Sequence, residues 1–294
     1  MIRVEHLSKR YGAFPALDDV SLEVRAGEIF GLVGPNGAGK TTILKSLVGI
    51  VIPTKGRCHV AGICVQDDPV RARRSLGYLP GDGRFYETMR GGDFLEFALG
   101  GYPGIDKALR DELARAFALP LAKKIRGYSH GMKRKLGILQ AVVPAVPLAI
   151  LDEPEEGLDP TARAYFLELL LRLRAAGKTI FLSSHQLESV ARVCDRVAFV
   201  AAGKLVDCDS VPNIRERAGK RIRVRLQAGV EPAALRVAGV AEVIARNGEF
   251  TVVAEGDPLE VLRRLAALPL DGLEFRQLRL EEIYADLYQI DRPQ

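Results

Sequence analysis

No apolar run in this 294-residue chain approaches the roughly 18 residues that a membrane-spanning helix needs. The nearest, Ala141 to Leu151, is broken by two prolines, so no crossing of a bilayer is expected. The opening Met1-Ile-Arg-Val-Glu-His has none of the apolar stretch of a secretory leader, which makes a cytosolic location the expectation. The four cysteines, Cys58, Cys64, Cys194 and Cys208, are scattered without metal-ligand spacing and read as packing residues. Charge of one sign is also scarce. A net +5 is too mild to point to nucleic acid, and none is expected as a partner. In the densest basic run, Arg221, Arg223 and Arg225 alternate with Ile222, Val224 and Leu226, the period of a half-buried strand with a charged outer face. With 48% hydrophobic and 27% charged residues the chain has a globular balance, and its length fits one large domain with an appendage or two domains.

What is present centres on Gly34-Pro35-Asn36-Gly37-Ala38-Gly39-Lys40-Thr41-Thr42, which satisfies the pattern G-x-x-x-x-G-K-[ST]. Holding a triphosphate takes several backbone N–H groups at once, hence glycines that accept unusual dihedrals and put no side chain in the way. The apolar run Glu28 to Val33 before it predicts a buried strand. After it, Ile43, Leu44 and Leu47 share one helical face, and that helix adds its exposed N–H groups and its dipole. Lys40 then reaches the β- and γ-phosphates, and the Thr41 hydroxyl is placed to ligate magnesium.

Along the rest of the chain, Ile2 to Val24 alternates like an antiparallel strand layer. Tyr11 lies in that layer, and the sequence alone assigns it no role. Leu76 to Leu79 is a short strand closed by Pro80. From about Gly91 to Ala145 the spacing turns helical, with stripes Phe94, Leu95, Ala98, Leu99 and Leu109, Leu113, Ala116, Phe117. Ser129, followed by His130 and Gly131, opens an amphipathic run, which fits either a plain N-cap or an anion site. The strand Leu148 to Leu151 delivers Asp152 and Glu153 at its C-terminal end, where open α/β sheets bind their ligands. Side chains alternate along a strand, so the two carboxylates diverge: one can hold magnesium while the other orients an attacking water. Gly157-Leu158-Asp159-Pro160 is a turn opening another helix. His185 follows the buried strand Thr179 to Ser183, and either a structural or a catalytic role fits it.

In order and spacing these motifs resemble the ATP-binding subunits of ABC transporters, most closely those of bacterial exporters whose membrane domain is a separate chain. The resemblance covers about residues 2 to 209. It implies a P-loop NTPase fold: a mixed sheet core, an antiparallel β layer and an inserted helical subdomain at about 91–145. It also implies ATP and Mg2+ as cofactors, a homodimer sandwiching two ATP molecules, and a permease partner that keeps the subunit on the inner face of the membrane. By the same resemblance Tyr11 stacks on adenine, Gly34 to Thr42 hold the phosphates, and Ser129 and Gly131 cap the γ-phosphate bound by the opposite subunit. Asp152 associates with magnesium, Glu153 is the general base, Asp159 belongs to a dimer-contact loop, and His185 senses the γ-phosphate. This chain departs from the pattern at His130, at Met132 and above all at Gly81, where a glutamine is expected; Asp82, its neighbour, is the candidate substitute as a metal ligand.

Beyond residue 209 the resemblance thins. Strands at Lys220 to Leu226, Ala241 to Arg246 and Phe250 to Ala254, with a helix at Pro258 to Ala267, predict a small α+β lobe over 210–294, with a ferredoxin-like arrangement as the candidate, serving as a stabilising cap or in dimerisation or regulation. Leu280 to Tyr288 has one apolar face suited to docking. The function expected is ATP hydrolysis powering a separate exporter. The alternative is a soluble ATPase of the same type acting as a switch on ribosomes or DNA. A small-molecule kinase would leave Ser129, Glu153 and His185 without a shared purpose.

Overall fold

The computed structural model describes residues 1–217, 220–246, 249–255, 257–277 and 280. The chain divides into a unit Met1–Asp209 and a unit Ser210–Gln294. The segment beyond Leu280, with its apolar face, lies outside the described residues.

The first unit opens with β1 (Ile2–Tyr11) and β2 (Phe14–Val24), then β3 (Ile29–Val33), α1 (Lys40–Leu47), β4 (Lys55–Val60), β5 (Ile63–Cys64), α2 (Pro69–Arg73) and β6 (Leu76–Leu79). The helical stretch follows: α3 (Gly91–Leu99), α4 (Lys107–Ala116) and α5 (His130–Val142). The chain then returns through β7 (Leu148–Asp152), α6 (Pro160–Ala175), β8 (Thr179–Ser184), α7 (Leu187–Val193), β9 (Arg196–Ala201) and β10 (Lys204–Ser210).

Two sheets form. The antiparallel one runs β2-β1-β4-β5, and the larger runs β10-β9-β3-β8-β7-β6, with the five strands from β9 to β6 parallel. Every residue of β3, β7 and β8 is buried, as expected for parallel strands covered on both faces. One core joins the sheets, drawing Val4, Leu7, Val20 and Val24 from the antiparallel layer together with Phe30, Leu32, Phe181 and the inner face of α1. Register then decides what meets at the C-terminal edge. Val33 pairs with Ser184, and Asp152 with Ser183, so the phosphate loop, the end of β8 and the two carboxylates line one rim.

Local chemistry sets the helix starts along that rim. The Ser129 hydroxyl accepts from the Met132 N–H at 3.2 Å to begin α5, and the Asp159 carboxylate accepts from the Ala162 N–H at 2.8 Å to begin α6, with Pro160 in its first turn. Helix α5 lies very close to β6. A Cβ on Gly77 would overlap the Ala141 carbonyl oxygen, and one on Gly137 would stand 2.7 Å from Leu79 Cδ1.

The second unit carries α8 (Val211–Arg217), β11 (Lys220–Leu226), β12 (Val240–Arg246), β13 (Glu249–Ala254), α9 (Pro258–Ala266) and β14 (Leu270–Gln277). Its sheet order, β12-β13-β11-β14, is the ferredoxin-like order, with a short turn of helix at Pro232–Leu235 where that fold has its first helix. Ile222 and Val224 face its core with Val252, Val261 and Leu265, so the arginines between them take the outer face. No helix among the described residues is long and apolar enough to cross a membrane.

Candidate active site

The phosphate loop is held in place from below. Gly39 at φ 104 ends the loop in the left-handed region and passes the backbone against β2; a Cβ there would stand 2.7 Å from Leu17 Cδ2. Gly34 packs on the Val200 carbonyl at the end of β9, which leaves no room for a side chain. Lys40 is buried, and its ammonium donates to the Gly34 and Pro35 carbonyls at 2.7 and 3.2 Å. A cleft of about 300 Å3 opens over the loop, lined by Asn36, Gly37, Ala38, Gly39, Lys40, Thr41 and Thr42, by Tyr11, Phe14 and Ala16 on one side, and by Glu153 on the other. Tyr11 is half exposed there, with the Lys9 ammonium 5.0 Å above its ring.

The carboxylates separate where β7 ends, because the chain turns at Glu153. Asp152 is fully buried, and its Oδ1 accepts from the Ser183 hydroxyl at 2.6 Å. The same hydroxyl accepts from the Glu153 N–H at 3.0 Å. Glu153 adopts φ 49, a left-handed conformation costly for a residue with a Cβ, and so turns its side chain out over the phosphate loop. There its Oε1 lies 3.4 Å from the Lys40 ammonium, and its Oε2 meets His185 Nδ1 at 2.8 Å and the His185 N–H at 3.3 Å. Lys40, Glu153 and His185 thus form one chain of contacts at the mouth of the cleft.

The donor set suits a magnesium ion. Asp152 Oδ2 is buried and has no hydrogen-bond partner, a condition that a bound cation relieves. Among the described residues no cluster of three or more His, Cys, Asp or Glu could hold a metal ion. Asp82 is directed elsewhere. Its carboxylate lies 3.6 Å from the Lys45 ammonium with the side chain 76% exposed, and it is Gly81 that abuts Asp152, where an added Cβ would come within 3.0 Å of Oδ2. Adjacency in sequence did not translate into adjacency at the metal position.

Ser129, Gly131 and Asp159 are gathered apart from the cleft. Gly131 packs under the Gly157 carbonyl, at 2.6 Å from where its Cβ would be, and Asp159 pairs with the Lys135 ammonium at 2.8 Å. That ammonium and the Ala162 N–H hold the Asp159 carboxyl below its ordinary pKa. None of the three lines the cleft of its own chain.

Three further residues escaped the sequence reading. Ser183 and Arg134 brace the Asp152–Glu153 turn; Arg134 lies on the apolar stripe Gly137, Ile138, Ala141 of α5, and a lone cation on such a stripe was the available signal. Glu155 is buried and accepts from the Ser189 hydroxyl at 2.6 Å, tying the turn after β7 to α7, and burial pushes its carboxyl above the ordinary range.

A strand, glycine loop and helix facing a buried aspartate and a turned-out glutamate define a phosphate-loop nucleotide-binding fold. The ABC transporter family profile matches residues 17–156. The ABC transporter ATP-binding protein all4389 of Nostoc sp. is 41% identical over 68% of this chain and 61% of its own length, so the chain spans about three fifths of that relative. The Nod factor export ATP-binding protein I of Burkholderia orbicola is 33% identical over 97% of this chain and 96% of its own. A solved ATP-binding subunit of an ABC transporter superposes with a TM-score of 0.68 at 33% identity, covering 74% of this chain and 93% of that one. The chain belongs to the ABC transporter ATP-binding proteins.

Proposed function

We propose that the chain is the energy-supplying subunit of an exporter, acting as a homodimer on a separate transmembrane permease at the inner face of the membrane. The observation that carries the catalytic part is the Glu153 carboxylate, held over the phosphate loop by Lys40 and His185 and free of any structural carboxylate role, which Asp152 fills. Glu153 is the general base: it takes a proton from a water that attacks the γ-phosphorus in line with the breaking bond to the β–γ bridging oxygen, which leaves with ADP. His185 holds its Oε2 in place from the end of β8. Lys40 exchanges its contact with Glu153 for β- and γ-phosphate oxygens, which frees Oε1. Thr41 and Asp152 would hold magnesium, which supplies neutralisation of phosphate charge when bound. Tyr11 stacks on the adenine.

The homodimer follows from what the cleft lacks in one chain. Ser129 and Gly131, at the N-terminus of α5, are suited to bind an anion yet stand outside their own cleft, so a second copy is needed to bring them over the γ-phosphate, with Asp159 near the contact. Export is supported by the full-length likeness to a protein named for it. The accessory unit 210–294 serves dimerisation or regulation in this reading.

The test is ATP hydrolysis against protein concentration, wild type beside Glu153→Gln. The rate per molecule is expected to rise with concentration, and to fall by about 10² or more in the variant, the range of a lost general base. A flat rate that survives the substitution would overturn both the composite site and the base. Affinity purification of the full chain from membranes is expected to bring down a polytopic permease; ribosomes or DNA in its place would overturn the exporter role.

A further inference from the structure

Arg134 is a buried cation whose two Nη groups bond to backbone, while its Nε is buried without a hydrogen-bond partner. Its Nη1 donates to the Pro80 carbonyl at 2.9 Å, and its Nη2 to the Glu153 carbonyl at 2.6 Å and the Asp152 carbonyl at 3.2 Å. The Glu156 carboxylate, 56% exposed, lies 3.7 Å from Nη2. Burial lowers the guanidinium pKa, so the chain retains a desolvated charge here at a cost. Three carbonyls from the ends of two neighbouring strands converge on one planar fork, a geometry that arginine matches and lysine does not.

Two features give that fork mechanical meaning. Glu153 sits at φ 49, and its peptide is held from both sides: the N–H by Ser183 and the carbonyl by Arg134. A left-handed residue with a Cβ persists only where its surroundings over-determine it. Helix α5 and β6 are also packed at glycine-limited distance through Gly77 and Gly137, and the Lys133 ammonium meets the Glu87 carboxylate at 2.6 Å beyond the turn. Helix α5, β6 and the Pro80–Gly81 turn are therefore linked as one piece, and Arg134 joins that piece to the turn that aims Glu153.

We propose that Arg134 is a positioning residue that keeps the Glu153 carboxylate aimed over the phosphate loop and passes displacements of the Pro80–Gly81 turn to it through backbone. The link is made without the glutamine that the family pattern places at residue 81. The inference rests on the reading of Glu153 as base.

The experiment compares the full chain with Arg134→Gln, Arg134→Lys and Glu153→Gln, measuring kcat and KM for ATP, ATP affinity, ATP-dependent dimerisation and thermal midpoint. Arg134→Gln is expected to lose at least tenfold in kcat with KM and affinity within twofold, while still dimerising with ATP. Arg134→Lys is expected to lie between it and wild type, because one ammonium cannot span the Pro80 and Glu153 carbonyls together. A kcat within twofold of wild type in Arg134→Gln, beside a collapsed Glu153→Gln, would overturn the positioning role and leave the base intact. An unchanged Glu153→Gln would overturn the base and this role together. Should Arg134→Gln fail to fold, Arg134→Lys decides: a wild-type kcat in it shows that only the buried charge matters and overturns the inference.

Discussion

Ser183→Ala tests whether the carboxylate turn is built as described. The substitution removes one oxygen and opens no cavity of note, but that oxygen has two partners. It donates to Asp152 Oδ1 at 2.6 Å and accepts from the Glu153 N–H at 3.0 Å, both out of reach of solvent. A hydrogen bond to a charged group contributes about 1.5–3 kcal/mol, and an orphaned buried N–H costs about 1–3 kcal/mol. The two losses overlap, so about 3 kcal/mol is expected in all. For a unit the size of Met1–Asp209, that lowers the melting midpoint by about 6–12 °C. The neighbouring strand residue is the control: the Ser184 hydroxyl accepts from the Gln186 N–H at 2.9 Å, a neutral bond, so Ser184→Ala should cost about 1 kcal/mol. Thermal and urea unfolding of both variants, with Asp152→Ala and the double variant closing a cycle, measure these differences. A loss under about 1 kcal/mol in Ser183→Ala, or no coupling between Ser183 and Asp152, would refute the account.

Glu155→Gln should raise the melting midpoint at pH 7, since burial holds the Glu155 carboxyl above its ordinary value while its acceptor role toward Ser189 is kept by the amide. The sign follows from proton counting: between about pH 4.3 and the raised value the folded state holds the proton that the unfolded state has released. Stability therefore falls as pH rises through that window, and the variant should flatten the fall; identical pH profiles would refute the burial argument. Tyr11→Ala should weaken ATP binding about five- to thirtyfold, from a stacking loss of about 1–2 kcal/mol, while Tyr11→Phe binds as wild type; nucleotide titration decides. Gly77→Ala must push α5 off β6, and a destabilisation of about 1–3 kcal/mol or more is expected in urea unfolding.

The phosphate loop was legible because its constraints are local: Gly39 needs a left-handed φ, Gly34 needs to meet β9 without a side chain, and Lys40 and Thr41 follow at fixed spacing. The divergence of Asp152 and Glu153 was also foretold, but its cause is the left-handed turn at Glu153, just past the end of β7, and not the strand alternation expected. What local reading could not supply is register. Ser183 stands beside Asp152 only because β7 and β8 pair in parallel with those two residues opposite, and Arg134 reaches the Glu153 carbonyl only because α5 packs at glycine distance on β6. The edge strands β10 and β14 escaped for a related reason. Lys204–Ser210 and Leu270–Gln277 carry little of the apolar alternation that marks a strand, and β14 is drawn into the sheet by its pairing with β11.

Asp82 shows the same limit with a functional consequence. Gly81 and Asp82 lie in the turn after β6, where strand alternation no longer applies, and there the residue that faces the buried aspartate is Gly81, while Asp82 turns out to Lys45. Restoring a side chain at residue 81 is therefore the informative change. Gly81→Gln places its Cβ 3.0 Å from Asp152 Oδ2, tight contact that a shift of a few tenths of an ångström relieves, and its amide beside the oxygen that has no partner. An amide N–H donated to Oδ2 would satisfy that oxygen in the absence of metal. Thermal stability without magnesium should then rise by about 1–3 kcal/mol, the worth of a hydrogen bond to a charged acceptor. The added stability conferred by magnesium and ATP together should shrink by a similar amount, because the ion would have to displace the new donor. If Gly81→Gln leaves both quantities unchanged, Asp152 Oδ2 is not the open ligand position proposed for it.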